Sequence, residues 1–193
     1  APARAFTPHA VVVRQTGRMR TVRVTSGVDN IRALCDLKAI TFRETYAHGN
    51  DPAELERHIA VSFSTASVSA ELANPNSITL WTTDGSGPVA YLKVNQGGAQ
   101  TEPGLERGLE IQQIYVRSSA QGKGIGNHLI REATAIAVRE GLDFLWLGVW
   151  ENNTSAIEVY RHLGFSDFGE HVFRIGDDLQ RDVLMRRDIT TPP

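Results

Sequence analysis

The sequence predicts a single α/β domain built on a mixed sheet, and three observations lead there. Short alternating segments such as TVRVT (21–25) and ITLWTT (78–83) are interleaved with longer stretches of helical periodicity. The run FLWLGVW (144–150) is apolar without a break, as in a strand covered on both faces. Between them, LEIQQIYVRSSAQGKGIG (109–126) carries a strand into a loop with glycines at 122, 124 and 126, and an amphipathic helix follows at once.

Residues 1–20 contain two prolines and the turn GRMR, and read as a loose lead-in with one short strand. After the strand at Thr21–Thr25, Ser26 or Asp29 is the expected cap of a helix. Its apolar positions include Ile31, Leu34, Leu37, Ile40 and Phe42, and it ends near His48-Gly49-Asn50. Asp51-Pro52 opens a second helix with a stripe of Leu55, Ile59 and Phe63, and Ser67–Leu72 forms another helical piece. Asn74-Pro75-Asn76 marks a turn. Strands at Ile78–Thr83 and Pro88–Val94 then flank Asp84-Gly85-Ser86-Gly87, and Gln96–Glu106 is a polar loop.

The strand Leu109–Val116 leads into a helix over about 124–140, with Ile125, Leu129, Ala133 and Ile136 on one face and Gly141 as its stop. Asn153–His162 is a short helix ended by Gly164. Two closing strands at about 169–175 and 180–187 turn at Gly176-Asp177-Asp178. Neither repeats nor linkers interrupt the chain, so residues 21–189 read as one domain behind the lead-in.

Length and composition narrow the function classes. The chain has 193 residues, 41% of them apolar, enough for a substantial core. A net charge of −2 gives no basic surface for nucleic acid. No apolar run approaches the roughly 20 residues that span a bilayer, and no signal peptide is legible, so a cytoplasmic setting is expected. The single cysteine, Cys35, fits a reducing compartment and reads as a small apolar residue on a helix. The six histidines form no paired-ligand motif, so no metal site is expected.

A strand, a glycine loop and a helix start aim several backbone N–H groups and the positive end of a helix dipole at one place, which suits phosphate. A nucleotide P-loop needs Gly-x-x-x-x-Gly-Lys-Ser/Thr, whereas Lys123 is followed by Gly124. The dinucleotide fingerprint Gly-x-Gly-x-x-Gly fails at Asn127 and at Leu129.

Gln121-Gly122-Lys123-Gly124-Ile125-Gly126 matches instead Gln/Arg-x-x-Gly-x-Gly/Ala, the pyrophosphate loop of the GNAT superfamily of N-acetyltransferases. The chain resembles that family a second time in VWENNTSAIEVYRHLGF (149–165), where an Asn, an Ala three residues on, a Tyr and a Gly-Phe pair recur in order. The resemblance extends over about 21–189. It implies a GNAT fold: a mixed, mostly antiparallel sheet of about six or seven strands flanked by helices and splayed at the central strands. ITFRETYAHGN, the helical region before ELANPNS, and the C-terminal HVFRIGDDLQRDVLM are similar to the branch containing spermine/spermidine N-acetyltransferases.

The implied cofactor is acetyl-CoA. Its pyrophosphate suits the N–H groups of Gly122–Gly126, with Gln121 or Lys123 as an added donor; a solvated surface lysine is the other reading of Lys123. By resemblance, Ile114, Tyr115 and Val116 offer strand-type partners to the pantetheine amides beside a gap before 144–150. A bulge near Gln113 or Ile114 opens such a gap. Asn153 is expected to bond the cofactor or, alternatively, to cap the helix it begins.

The family's tyrosine matches Tyr160, a phenol that stays protonated at neutral pH and serves the departing thiolate. An alkylamine with a pKa near ~10.4 is neutral about once in a thousand molecules at pH 7, so a proton acceptor helps. Glu110 is the only carboxylate in its strand, with Gln112 on the same face; an edge charge is an equally good reading, and Glu44 is another candidate. The expected function is acetyl transfer to a small amine, a polyamine first, in a ternary complex by a monomer or homodimer. Protein N-termini, lysines and amine drugs remain as acceptors, and a non-catalytic acyl-CoA sensor as the rival class.

Overall fold

The computed structural model describes residues 15–16, 19–48, 51–175 and 178–189. Among the described residues eight strands form one mixed sheet in the order β1-β2-β3-β4-β5-β6-β8-β7. They are β1 (Gln15–Thr16), β2 (Met19–Arg23), β3 (Ser77–Thr83), β4 (Pro88–Asn95), β5 (Gly108–Val116), β6 (Phe144–Trp150), β7 (Ser166–Ile175) and β8 (Asp178–Asp188). The eighth strand beyond the expected count is the two-residue β1, from the lead-in. The α-helices of the described residues are α1 (Val28–Tyr46), α2 (Pro52–Ser62), α3 (Thr65–Ala73), α4 (Ile125–Glu140) and α5 (Thr154–His162). Most of the lead-in, Gly49-Asn50 and the turn residues Gly176-Asp177 lie outside the described residues.

Every neighbouring pair of strands is antiparallel except β5 and β6, which run parallel. Their registered pairing covers only Gly108↔Phe144, Leu109↔Leu145 and Glu110↔Trp146. Beyond Glu110 the two strands part, and the expected central splay is present. On its other edge β5 stays paired with β4, but the register slips: Ile111 faces Val94 and Gln113 faces Lys93. Gln112 is the extra residue, so the bulge falls one position before the expected one.

α4 packs on one face of the sheet. Leu129, Ile130, Ala133 and Ile136 meet Leu92, Val94, Leu109, Leu145 and Leu147 in the main core. The opposite face carries α1 and α3 against Trp81 and Tyr91 through Leu34, Leu37 and Val68. A smaller apolar cluster joins α2 to α1, with Leu55, Ile59 and Phe63 against Phe42 and Tyr46. β6 is covered on both faces only as far as Leu147: Gly148 and Trp150 at its end are exposed on the α1 side.

Two helix starts differ in kind. Asp51 caps α2 as expected, its carboxylate accepting from Ala53 N–H (2.8 Å) and Glu54 N–H (3.0 Å). Neither Ser26 nor Asp29 caps α1. Gly27 holds that position without a side-chain bond, and the Asn30 amide reaches back to Thr25 instead.

Candidate active site

The splay opens a cleft of about 650 Å³ on the α4 side of the sheet. Its floor is the free edge of β5 at Ile114 and Val116. One wall is Gln121, Gly122, Gly124 and the start of α4, and the other is α5 through Ala156, Val159 and Tyr160. The glycine loop has the conformation its sequence demands. Gly122 and Gly124 sit at φ +73° and +75°, and a Cβ on Gly122, Gly124 or Gly126 would point into open space. Gly124 precedes α4 with no side-chain cap, so the helix start borders the cleft without a side chain closing its first turn.

The structure brings together Ile114, Val116, Gln121, Gly122, Gly124, Ile125, Gly126 and Tyr160 at this cleft. Four other expected residues do not line it with their side chains. The Tyr115 side chain lies on the opposite face, stacked on Tyr91 at a ring separation of 5.5 Å. The exposed Lys123 turns its ammonium to the carbonyl of Ser119 (3.1 Å). Asn153 caps α5, with Oδ1 accepting from Ala156 N–H at 3.3 Å. Glu110 is buried away from the lining, where Oε2 accepts from the Asn95 amide (2.9 Å) and Thr101 N–H (3.2 Å), and Oε1 from the Thr101 hydroxyl (2.5 Å).

Sequence reading missed Asn127, Ser155, Val159 and Leu163, which also line the cleft. Asn127 and Ser155 follow from the same rule, since each lies in the first turn of a helix whose start faces the cleft. Val159 and Leu163 carry no signal apart from helical spacing around Tyr160.

Titratable groups gather where the two faces meet. Burial, with a further push from Tyr46, raises the Tyr160 phenol to about 12. Tyr115 is held well above the ordinary phenol range by burial and by the neighbouring phenols Tyr46 and Tyr91. Burial also raises Glu110, against the hydrogen bonds from Thr101 and Asn95. Glu44 accepts a bond from Ser118 N–H at 2.7 Å and so ties α1 to the loop after β5. His171 pairs with Glu102 at 2.5 Å, a structural link between β7 and the 96–106 loop. Among the described residues no group of three or more His, Cys, Asp or Glu is placed to hold a metal ion. No described helix is long and apolar enough to cross a membrane.

Residues 31–165, which include the glycine loop and Tyr160, match the family model described as the Acetyltransferase (GNAT) family. The chain belongs to the GNAT acetyltransferase family. An uncharacterised N-acetyltransferase from the pepI 3′ region of Lactobacillus delbrueckii subsp. lactis is 34% identical over 147 residues, 76% of this chain and 85% of the relative. The thialysine N-epsilon-acetyltransferase of Bos taurus is 31% identical over 81 residues, 40% of this chain and 48% of that one. Among solved structures, the PaiA N-acetyltransferase of Thermoplasma acidophilum in complex with coenzyme A superposes with a TM-score of 0.71 at 17% identity, over 88% of this chain and 98% of that one.

This GNAT protein is an acetyl-CoA-dependent N-acetyltransferase, and its cleft fits that cofactor. The loop is open where a diphosphate needs close backbone approach, and the β5 edge is free where an amide-bearing arm needs strand-type partners.

Proposed function

We propose that this GNAT enzyme transfers the acetyl group directly to the primary amine of a small molecule held on the α1 face of the sheet, an alkyl polyamine being the leading acceptor. The observation that carries the reading is the two-sidedness of the β5–β6 gap. The cofactor-type cleft lies on the α4 side, while Tyr46, Tyr115 and the open end of β6 lie on the other, so donor and acceptor meet through the gap without exchanging places.

In this reading the N–H groups of Gly122–Gly126 hold the pyrophosphate. Gln121 and Lys123 border it, and the backbone of Ile114, Tyr115 and Val116 takes the pantetheine amides. Asn153 acts at one remove, fixing the start of α5 by its cap. Bound acetyl-CoA supplies an activated thioester. Tyr160 keeps its proton at any working pH and donates a hydrogen bond at the sulfur, which stabilises the departing thiolate. Ile114 N–H is the proposed donor to the carbonyl oxygen.

Glu110 is the proposed proton acceptor. It shares the face of Gln113 and Tyr115, because Asn95, Lys93 and Tyr91 opposite them alternate along β4. Its raised pKa makes it a stronger base than an ordinary carboxylate. Glu44 is the second candidate, with its carboxylate accepting from Ser118 N–H.

Two features support an alkylammonium acceptor. Asp182 lies beside Gly148, directly across from the exposed Trp150, and offers a half-buried carboxylate and an aromatic surface together. The thialysine enzyme among the relatives is named for an amine on a flexible chain. The test is acetyl-CoA with a panel of spermidine, spermine, diamines, lysine analogues and N-terminal peptides, read by mass spectrometry. Acetylated polyamine is expected first. Tight acetyl-CoA binding with no product from any amine would instead favour an acyl-CoA sensor.

A further inference from the structure

A buried charge cluster outside the cleft bears on the strand that floors it. Lys38, in the middle of α1, has a side chain only 1% exposed. Its ammonium donates to Glu71 Oε2 at 2.8 Å and to Gln113 Oε1 at 2.7 Å, and lies over the rings of Tyr91 (5.1 Å) and Phe63 (5.7 Å). Glu71 also takes the ammonium of Lys93 at 3.1 Å and the hydroxyl of Thr79 at 3.2 Å.

Packing does not account for a lysine here. Taking an ammonium out of water costs several kcal/mol, and a methionine would cover Tyr91 and Phe63 without that penalty. Neutralising Glu71 does not account for it either, because Lys93 already does so. What Lys38 adds is the bond to Gln113.

Gln113 stands at a critical point of β5. Registered pairing with β6 has ended three residues earlier, at Glu110, and the bulged Gln112 has just turned the strand. The next residue, Ile114, lines the cleft. Past the bulge the strand is paired with β4 alone, so its orientation about its own length is set by that ladder together with the side chains that tie it from either face. The Lys38–Gln113 bond holds it from the α1 face. We propose that Lys38 is a positioning residue for the cofactor: by anchoring Gln113 it sets the orientation of β5 beyond the bulge, and with it the backbone groups offered to the pantetheine arm. The inference rests on the reading of the 114–116 edge as the partner of that arm.

The test uses the full chain with Lys38→Met, Gln113→Met and the double variant, titrated calorimetrically with acetyl-CoA and with adenosine 3′,5′-bisphosphate, which lacks the arm and the outer phosphate of the pyrophosphate. Each single substitution is expected to weaken acetyl-CoA binding about tenfold and leave the bisphosphate unchanged. The double variant should be no weaker than the poorer single one, as required of two residues acting through one bond. The melting temperature of Lys38→Met should be unchanged or higher, because Glu71 keeps Lys93. Unchanged acetyl-CoA affinity in Gln113→Met overturns the proposal, even if Lys38→Met does not fold. Additive losses in the double variant overturn it too. If the wild-type chain binds the bisphosphate as tightly as acetyl-CoA, the arm contributes nothing and the edge reading itself fails.

Discussion

The hydroxyl oxygens of Tyr46 and Tyr115 lie 3.3 Å apart and join the last turn of α1 to the β5 strand. Together with Lys38–Gln113 and Glu44–Ser118, this contact makes three polar ties along one helix to the strand and loop that border the cofactor cleft. α1 therefore does more than cover the sheet, since it holds both the strand and the loop that border the cleft.

Tyr46→Phe removes the phenol contact and keeps the ring that packs at 4.5 Å from Phe42. The fold should persist. We expect kcat/KM for the amine to fall about tenfold while the KM for acetyl-CoA is unchanged, since the lost group faces the proposed acceptor side. A change confined to acetyl-CoA would place Tyr46 on the wrong side of the gap.

Tyr160→Phe should lower kcat by about a hundredfold, within the usual range for a general acid, with little effect on acetyl-CoA affinity. With its phenol at about 12, Tyr160 remains protonated through pH 10, so the wild-type rate should show no alkaline decline from this group below that pH. Steady-state rates with a thiol reagent, paired with calorimetry, separate the two effects.

Glu110→Gln retains acceptor and donor atoms for Asn95 and Thr101, so the melting temperature should barely move. The sign of its pH effect follows from the raised pKa. A carboxyl raised by burial favours its neutral form, so proton acceptance switches on only as pH rises through a value above the ordinary 4.5. Wild-type kcat/KM should climb through that limb, and the variant should lose both the limb and about a hundredfold in rate. An identical profile in the variant would remove Glu110 from the mechanism.

Gly124→Ala forces a β-carbon onto a residue at φ +75°. The left-handed conformation costs an alanine about 1–2 kcal/mol. At a few degrees per kcal/mol for a chain of this size, the melting temperature should drop by roughly 2–8 °C. Acetyl-CoA affinity should fall with it, because the loop N–H groups shift. Calorimetry that finds the affinity intact would detach this loop from the phosphate.

The glycine loop was legible because its chemistry is local. Gly122 and Gly124 adopt positive φ, and α4 begins at the next residue, all within a few positions. Tyr160 was legible for the same reason, as one turn of helix fixes it relative to Ala156. The Tyr115 side chain was not placed by its position in the strand, because the backbone of a strand edge and its side chain serve different faces. Its neighbours Ile114 and Val116 point to the cleft while Tyr115 points to Tyr91.

The sequence by itself determined the α/β order, the glycine loop, the family and the cofactor, since each depends on residues close together in the chain. Only the tertiary structure revealed the clamp around the bulge, where Lys38, Glu71, Lys93 and Gln113 come from two helices and two strands. It alone enclosed Glu110 with Asn95 and Thr101 and set Asp182 across from Trp150. A buried charge is tolerable only where distant partners converge on it, and a linear pattern carries no record of that convergence.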